Sequence, residues 1–160
     1  MIRTSRLDLL PRRVEHAAEM ASVLSDQALH TFIGGTPLTP GALRARYERL
    51  AVGSPDPAEL WFNWVISLRA SGCLVGTVQA TIADGSAEIA WVVGTPWQGQ
   101  GIAREAAQSL VDWLATQPID TVIAHIHPDH HASAAVAASA GLTATDRRQD
   151  GEVRWHRPLQ

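Results

Sequence analysis

The sequence predicts one α/β (α+β) domain: a mixed, mostly antiparallel sheet of about seven strands flanked by about four helices. The predicted order is β-α-α-β-β-β-α-β-α-β-β. Three observations predict it. The apolar runs Leu60–Leu68, Cys73–Ala83 and Ala87–Val93 are separated only by Ala70-Ser71-Gly72 and Asp84-Gly85-Ser86. Asp-Gly between strands signals a tight hairpin, because both residues tolerate positive φ, so the runs form an antiparallel meander. An amphipathic helix follows, with Ile102, Ala106, Leu110 and Leu114 on one face and Ala103, Ala107 and Val111 beside them. Thr121–Ile126 then reads as a buried strand reached by a crossover.

The remaining elements follow from local signals. Arg6–Leu10 alternates as a short strand stopped by Pro11, and Val14–Leu24 has helical apolar spacing. Gly34, Gly35 and Pro37 mark a loop. Thr39 is a good N-cap and Pro40 suits the first helical position of a helix through Leu50. Ser54–Pro57 is a turn cluster. Pro118 closes the long helix. Asp129 is placed to cap an Ala-rich helix ending at Gly141, a natural C′ residue. Leu142–Thr145 and Glu152–Trp155 are weak closing strands around Asp150-Gly151.

Composition narrows the class. The 160 residues suffice for one domain with a core, and 46% hydrophobic with 18% charged residues is ordinary for a folded protein. A net charge of −3 gives no support to nucleic-acid binding by a basic surface. The single cysteine, Cys73, excludes an intrachain disulfide framework and reads as a small buried group at a strand start. Met1–Arg6 lacks the apolar core of a secretory signal, and no stretch approaches a membrane span. The expectation is a soluble cytoplasmic protein with no nucleic-acid or membrane partner.

Trp97-Gln98-Gly99-Gln100-Gly101-Ile102-Ala103 carries the chemistry. Two glycines between a strand and a helix let the backbone curl, so that several N–H groups converge at a helix N-terminus. The helix dipole adds to their preference for negative charge. The implied ligand group is a phosphate or pyrophosphate. A dinucleotide G-x-G-x-x-G would need Gly at position 104, where Arg104 stands, and a βαβ unit in place of a meander.

With that order of elements, Gln98 to Ala103 fits the Q/R-x-x-G-x-G/A loop, and the chain resembles the GNAT superfamily of acetyl-CoA-dependent N-acetyltransferases. It looks most like the Rim-type branch, which includes ribosomal-protein N-terminal acetyltransferases. Thr4-Ser5-Arg6-Leu7 resembles that branch's T-x-R-L opening. Pro128-Asp129-His130-His131-Ala132-Ser133, Val136 and Gly141-Leu142 resemble its P-x-N-x-A-S-x-x-V and G-F/L. Residues 1–160 would form one such domain.

The resemblance implies acetyl-CoA as co-substrate, no metal, and an amine acceptor: a protein N-terminus or a small molecule. Pantetheine would lie in a gap between splayed parallel strands, pairing with backbone groups of Trp91, Val92 and Val93. The pyrophosphate would rest on Gly99, Gln100, Gly101, Ile102 and Ala103, with Gln98 and Arg104 beside it. A backbone N–H near Val92 or Val93 would stabilise the oxyanion. Glu88 is the candidate base, with Trp91 expected to supply apolar surroundings. Ser133 is the candidate acid, because Ala137 stands where many members carry a Tyr. His130 replaces the usual Asn contact to pantetheine. His30 to Pro37 would form an acceptor wall, and Trp61 and Trp91 would line the cavity. An exposed C-terminal strand edge would permit a homodimer.

Each reading has a plainer counterpart: Glu88 as a solvent-facing strand residue, Ser133 as helix packing, and Arg104 as a solvated charge. Two other functions compete. A GNAT-like module that binds acyl-CoA without transfer would explain the absent Tyr and Asn. A metal-dependent hydrolase would use His125-Ile126-His127-Pro128-Asp129-His130, an H-x-H-x-D-H string, but would leave the Gln98–Ala103 loop without a purpose.

Overall fold

The computed structural model describes residues 1–159. An eight-stranded sheet runs through it in the spatial order β1-β2-β3-β4-β5-β6-β8-β7. The strands are β1 (Ile2–Arg3), β2 (Leu7–Pro11), β3 (Leu60–Leu68), β4 (Cys73–Ala83), β5 (Ser86–Val93), β6 (Thr121–Ile126), β7 (Thr143–Gln149) and β8 (Glu152–Pro158). The helices are α1 (Ala17–Val23), α2 (His30–Ile33), α3 (Pro40–Leu50), α4 (Ile102–Leu114) and α5 (His131–Ser139). The sequence pattern missed β1 and α2, which at two and four residues are too short to show a period.

The β3–β4–β5 meander forms as expected. Asp84 (φ 51°) and Gly85 (φ 76°) both take positive φ, the geometry of a primed hairpin turn. Thr39 accepts the Ala42 N–H at 3.1 Å, capping α3. Gly141 (φ 89°) ends α5 while Leu142 N–H reaches Ala137 O and Gly141 N–H reaches Ala138 O. That is the Schellman pattern of a C′ glycine.

Three expectations are corrected. His130, not Asp129, is the N-cap of α5, and it makes no side-chain cap bond. The C-terminal strand β8 is not an edge, because it lies between β6 and β7; β1 and β7 are the edges. Cys73 is exposed, because it opens β4 beside the Gly72 turn, ahead of the buried Leu74.

Side chains alternate across the sheet and build two cores. On one face α4 buries Ile102, Ala106, Leu110 and Leu114 against Leu9, Ile66, Val78 and Ile89. On the other, Met20 and Val23 of α1 and Leu43 and Tyr47 of α3 pack on Val65 and Leu74. Trp97, beside the glycine loop, packs against both cores. Among the described residues no helix is long and apolar enough to cross a membrane.

Candidate active site

β5 and β6 run parallel but stay together only briefly. Their register covers Ser86↔Thr121, Ala87↔Val122 and Glu88↔Ile123, and no pairing continues beyond it. From Ile89 onward β5 therefore has no partner on its β6 side, and the two strands splay. Gly94 N–H donates to Val75 O at 2.8 Å, so even-numbered residues turn their backbone toward β4. Trp91 and Val93 then turn theirs into the gap. The Val92 backbone, in register with Thr77, faces β4. Of the three residues expected to pair with pantetheine, Val92 therefore offers a side chain, while Trp91 and Val93 offer backbone.

Gly76 makes this geometry possible. A Cβ there would stand 2.2 Å from Val92 O, so β4 and β5 can approach only without a side chain at this point. A glycine inside a strand is the sequence signal for such an approach.

The glycine loop follows β5. Gly99 (φ 77°) and Gly101 (φ 78°) both take left-handed backbone, which other residues adopt at a cost. Gly101 is the N-cap of α4, with no side-chain cap bond, and Glu105 N–H makes the first backbone bond back to it. The N–H groups of Ile102, Ala103 and Arg104 precede that first bond and face outward from the helix end. The Gln98 side chain is used internally: its amide donates to Val93 O at 3.0 Å and ties the loop to β5. Arg104 is exposed beside the loop.

A clamp from the far end of the chain holds this loop. Arg6 donates to Gln100 O at 2.9 Å and to Glu105 Oε1 at 2.8 Å, and its backbone N–H donates to Glu105 Oε2 at 2.9 Å. The Thr4 hydroxyl also donates to Glu105 Oε2. Burial pushes the Glu105 carboxyl up, but the hydrogen bonds from Thr4 and Arg6 outweigh it and hold the group below its ordinary value. Arg69 fixes the clamp in turn, donating to Thr4 O at 2.7 Å and Ser5 O at 2.6 Å. The Thr4-Ser5-Arg6-Leu7 opening thus has a physical task, and Arg69 is a contributor that sequence reasoning missed.

A cavity of about 970 Å³ opens between α2, α3 and the sheet. Its floor includes Glu88 and Val92 of β5, His125 of β6 and His127 just past that strand, with Ser133 at one side. Trp61, Trp91, His30 and residues 32–36 also line it. Residues 98–103 lie outside this lining, so the cavity and the glycine loop are separate features.

Glu88 reaches His125. Its Oε2 lies 3.2 Å from His125 Nδ1; the Glu88 side chain is 47% exposed and that of His125 only 6%. Arg154 Nε donates to His125 Nε2 at 3.2 Å. Arginine only donates, so Nε2 accepts and the neutral ring carries its proton on Nδ1, the atom facing Glu88. That Nδ1 lacks a well-angled hydrogen bond. Trp91, in contrast, packs with the α4-side core, on the opposite face of β5. The expected apolar neighbour of Glu88 is thus replaced by an imidazole backed by Arg154.

His130 stacks on Phe32 of α2, with centroids 4.1 Å apart and planes 8° from parallel. Its Nε2 lies 3.3 Å from Ser133 Oγ. Burial, aided by nearby His127, holds its pKa below the ordinary histidine value, which favours the neutral ring. Ala137 is fully buried in the α4-side core. The H-x-H-x-D-H residues are otherwise engaged: His125 with Glu88 and Arg154, His127 Nδ1 accepting the Asp129 N–H, and His130 with Phe32. Among the described residues no group of three or more His, Cys, Asp or Glu side chains is placed to hold a metal.

A splayed parallel pair beside a glycine loop at a helix N-terminus suits an extended ligand that carries a phosphate or pyrophosphate. The acetyltransferase (GNAT) domain family matches residues 6–143, and the chain belongs to that family. No curated protein matches the sequence. Solved structures share the fold. A GNAT-family acetyltransferase from Bacillus anthracis is 18% identical, with a TM-score of 0.81 over 99% of this chain and 98% of that one. RimL, a ribosomal L7/L12 alpha-N-protein acetyltransferase in complex with coenzyme A, is 18% identical, with a TM-score of 0.82 over 98% and 96%. Spermidine N-acetyltransferase from Vibrio cholerae, in complex with CoA and spermine, is 16% identical, with a TM-score of 0.78 over 98% and 97%.

Proposed function

We propose that this acetyltransferase moves the acetyl group of acetyl-CoA to a primary amine, a protein N-terminus or a small molecule, by direct attack in a ternary complex in the cytoplasm. The whole chain, residues 1–160, is the working unit. The observation that carries the reading is the gap itself: β5 loses its partner after Glu88, and the glycine loop stands at its far end.

In this reading pantetheine amides pair with the free backbone of Trp91 and Val93, as a strand adds to a sheet edge. The pyrophosphate rests on the N–H groups of Gly99 to Ala103, with Gln98 bracing the loop and Arg104 beside the phosphates. Val92 flanks the acetyl group, and the Val93 N–H is the oxyanion donor. His130 supports the pantetheine arm through its ring nitrogen.

The amine must arrive neutral to attack. Glu88 takes the proton from nitrogen as the C–N bond forms, with His125 Nδ1 facing its carboxylate. The C–S bond breaks, and Ser133 gives its hydroxyl proton to the leaving sulfur. Solvent in the open cavity restores both groups. The products are an amide and free CoA thiol.

The test is a thiol-release assay with acetyl-CoA against a panel of amines spanning peptides, polyamines, aminoglycosides and amino acids. Release of thiol with at least one class, together with an acetylated product by mass, is the expected outcome. Binding of acetyl-CoA with no release from any amine would instead identify a binding module, for which the buried Ala137 in place of a Tyr speaks.

A further inference from the structure

The cavity is electrically polarised, and that polarity bears on the acceptor. At the β5–β6 end stand Glu88 and the imidazoles of His125 and His127. At the opposite end stand Arg12, just past β2, and Arg46 of α3. Among the described residues no carboxylate comes within ion-pair distance of either arginine. Arg12 is half-buried and lies 4.4 Å from the centre of the Tyr47 ring, which holds its guanidinium in place. Burial pulls its pKa down; Tyr47 raises it and Arg46 lowers it further. It stays charged and lines the cavity, and among the described residues its side chain donates to no protein acceptor. Two unpaired cations side by side repel each other, and an anion between them would relieve that repulsion.

We propose, resting on the acetyltransferase reading, that the acceptor is an amine bearing an anionic group, a carboxylate or a phosphate, which Arg12 and Arg46 hold while the amine reaches Glu88. Register sets the spacing. Arg12 N–H donates to Asn63 O at 2.9 Å, Asn63 pairs with Gln79, and Gln79 with Ala90. Strands lie about 4.8 Å apart and three such steps separate Arg12 from β5, so β5 is about 14 Å across the sheet from Arg12, and Glu88 lies two residues farther along it. An anion at the guanidinium and an amine at the carboxylate each lie a side chain's reach inside those backbone positions, which leaves a span on the order of 10 Å, about three extended peptide residues. A polyamine would bring a second cation to the arginines.

The experiment compares kcat/KM within two matched series. One is triglycine against triglycine amide. The other is 8-aminooctanoate and 8-aminooctyl phosphate against 1,8-diaminooctane, which also separates carboxylate from phosphate. The anionic member should lead each series by at least about tenfold, as a charge-assisted fork contact gives. Arg12→Gln with Arg46→Gln should bring the ratios close to one. Arg46→Gln alone, at an exposed helix position, should lower them in part without risk to folding. Equal use of all members, or preference for the diamine, would overturn this proposal while leaving acetyl transfer standing. No thiol release from any member of an amine panel, with acetyl-CoA bound, would overturn both.

Discussion

Replacing Glu88 by Gln removes a base and keeps its shape. If Glu88 accepts the amine proton, kcat should fall by on the order of 100-fold while acetyl-CoA affinity stays within error. Steady-state kinetics beside calorimetry separate the two quantities, and an unchanged kcat would remove Glu88 from the mechanism. At this scale the sequence was only partly legible. Glu88 stood out as an acid on the strand before the glycine loop. Its neighbour did not: strand alternation alone puts Trp91 on the opposite face, while His125 comes from a residue 37 positions away whose register only the β5–β6 pairing fixes. Arg12 and Arg46 carried no sequence signal, because an unpaired arginine looks like any other until its surroundings are known.

Among the elements, α4 and its loop show how a distant segment sets a binding geometry. Thr4 and Arg6 meet Glu105 across the fold, and Arg6 also holds Gln100 O. Because Glu105 titrates below its ordinary value when folded, the unfolded chain binds more protons in that window. The clamp's contribution is therefore full above the ordinary glutamate range and is lost as pH falls through it. Chemical denaturation from about pH 6 to pH 3 should show the wild type losing more stability than Glu105→Gln, which has no charge to lose. Parallel losses would assign the acid sensitivity elsewhere. The loop was readable because glycines between strand and helix have few other uses. The clamp was not, since a T-x-R-L opening states no partner. The cap of α5 was misread for a similar reason: Asp129 has cap chemistry, but the turn there places His130 at the N-cap.

For the whole molecule, the meander and the α4 crossover followed from hydrophobic period and turn chemistry, whereas the splay was implied only by the family resemblance. The insertion of β8 between β6 and β7 did not, because two weak strands joined by Asp150-Gly151 fix their pairing with each other but not which of them joins β6. The fold brings three separately encoded parts to one gap: the loop at α4, the unpartnered backbone of β5, and Glu88 beside His125. The central claim is that the gap and loop bind acetyl-CoA. Calorimetric titration of acetyl-CoA into wild type and Gly101→Val tests it most directly. Valine at φ 78° strains the N-cap and crowds the converging N–H groups. The account predicts micromolar binding to the wild type and a loss of at least tenfold in the variant, with both proteins folded by circular dichroism. Absence of binding to the wild type, or equal binding to both, would contradict it.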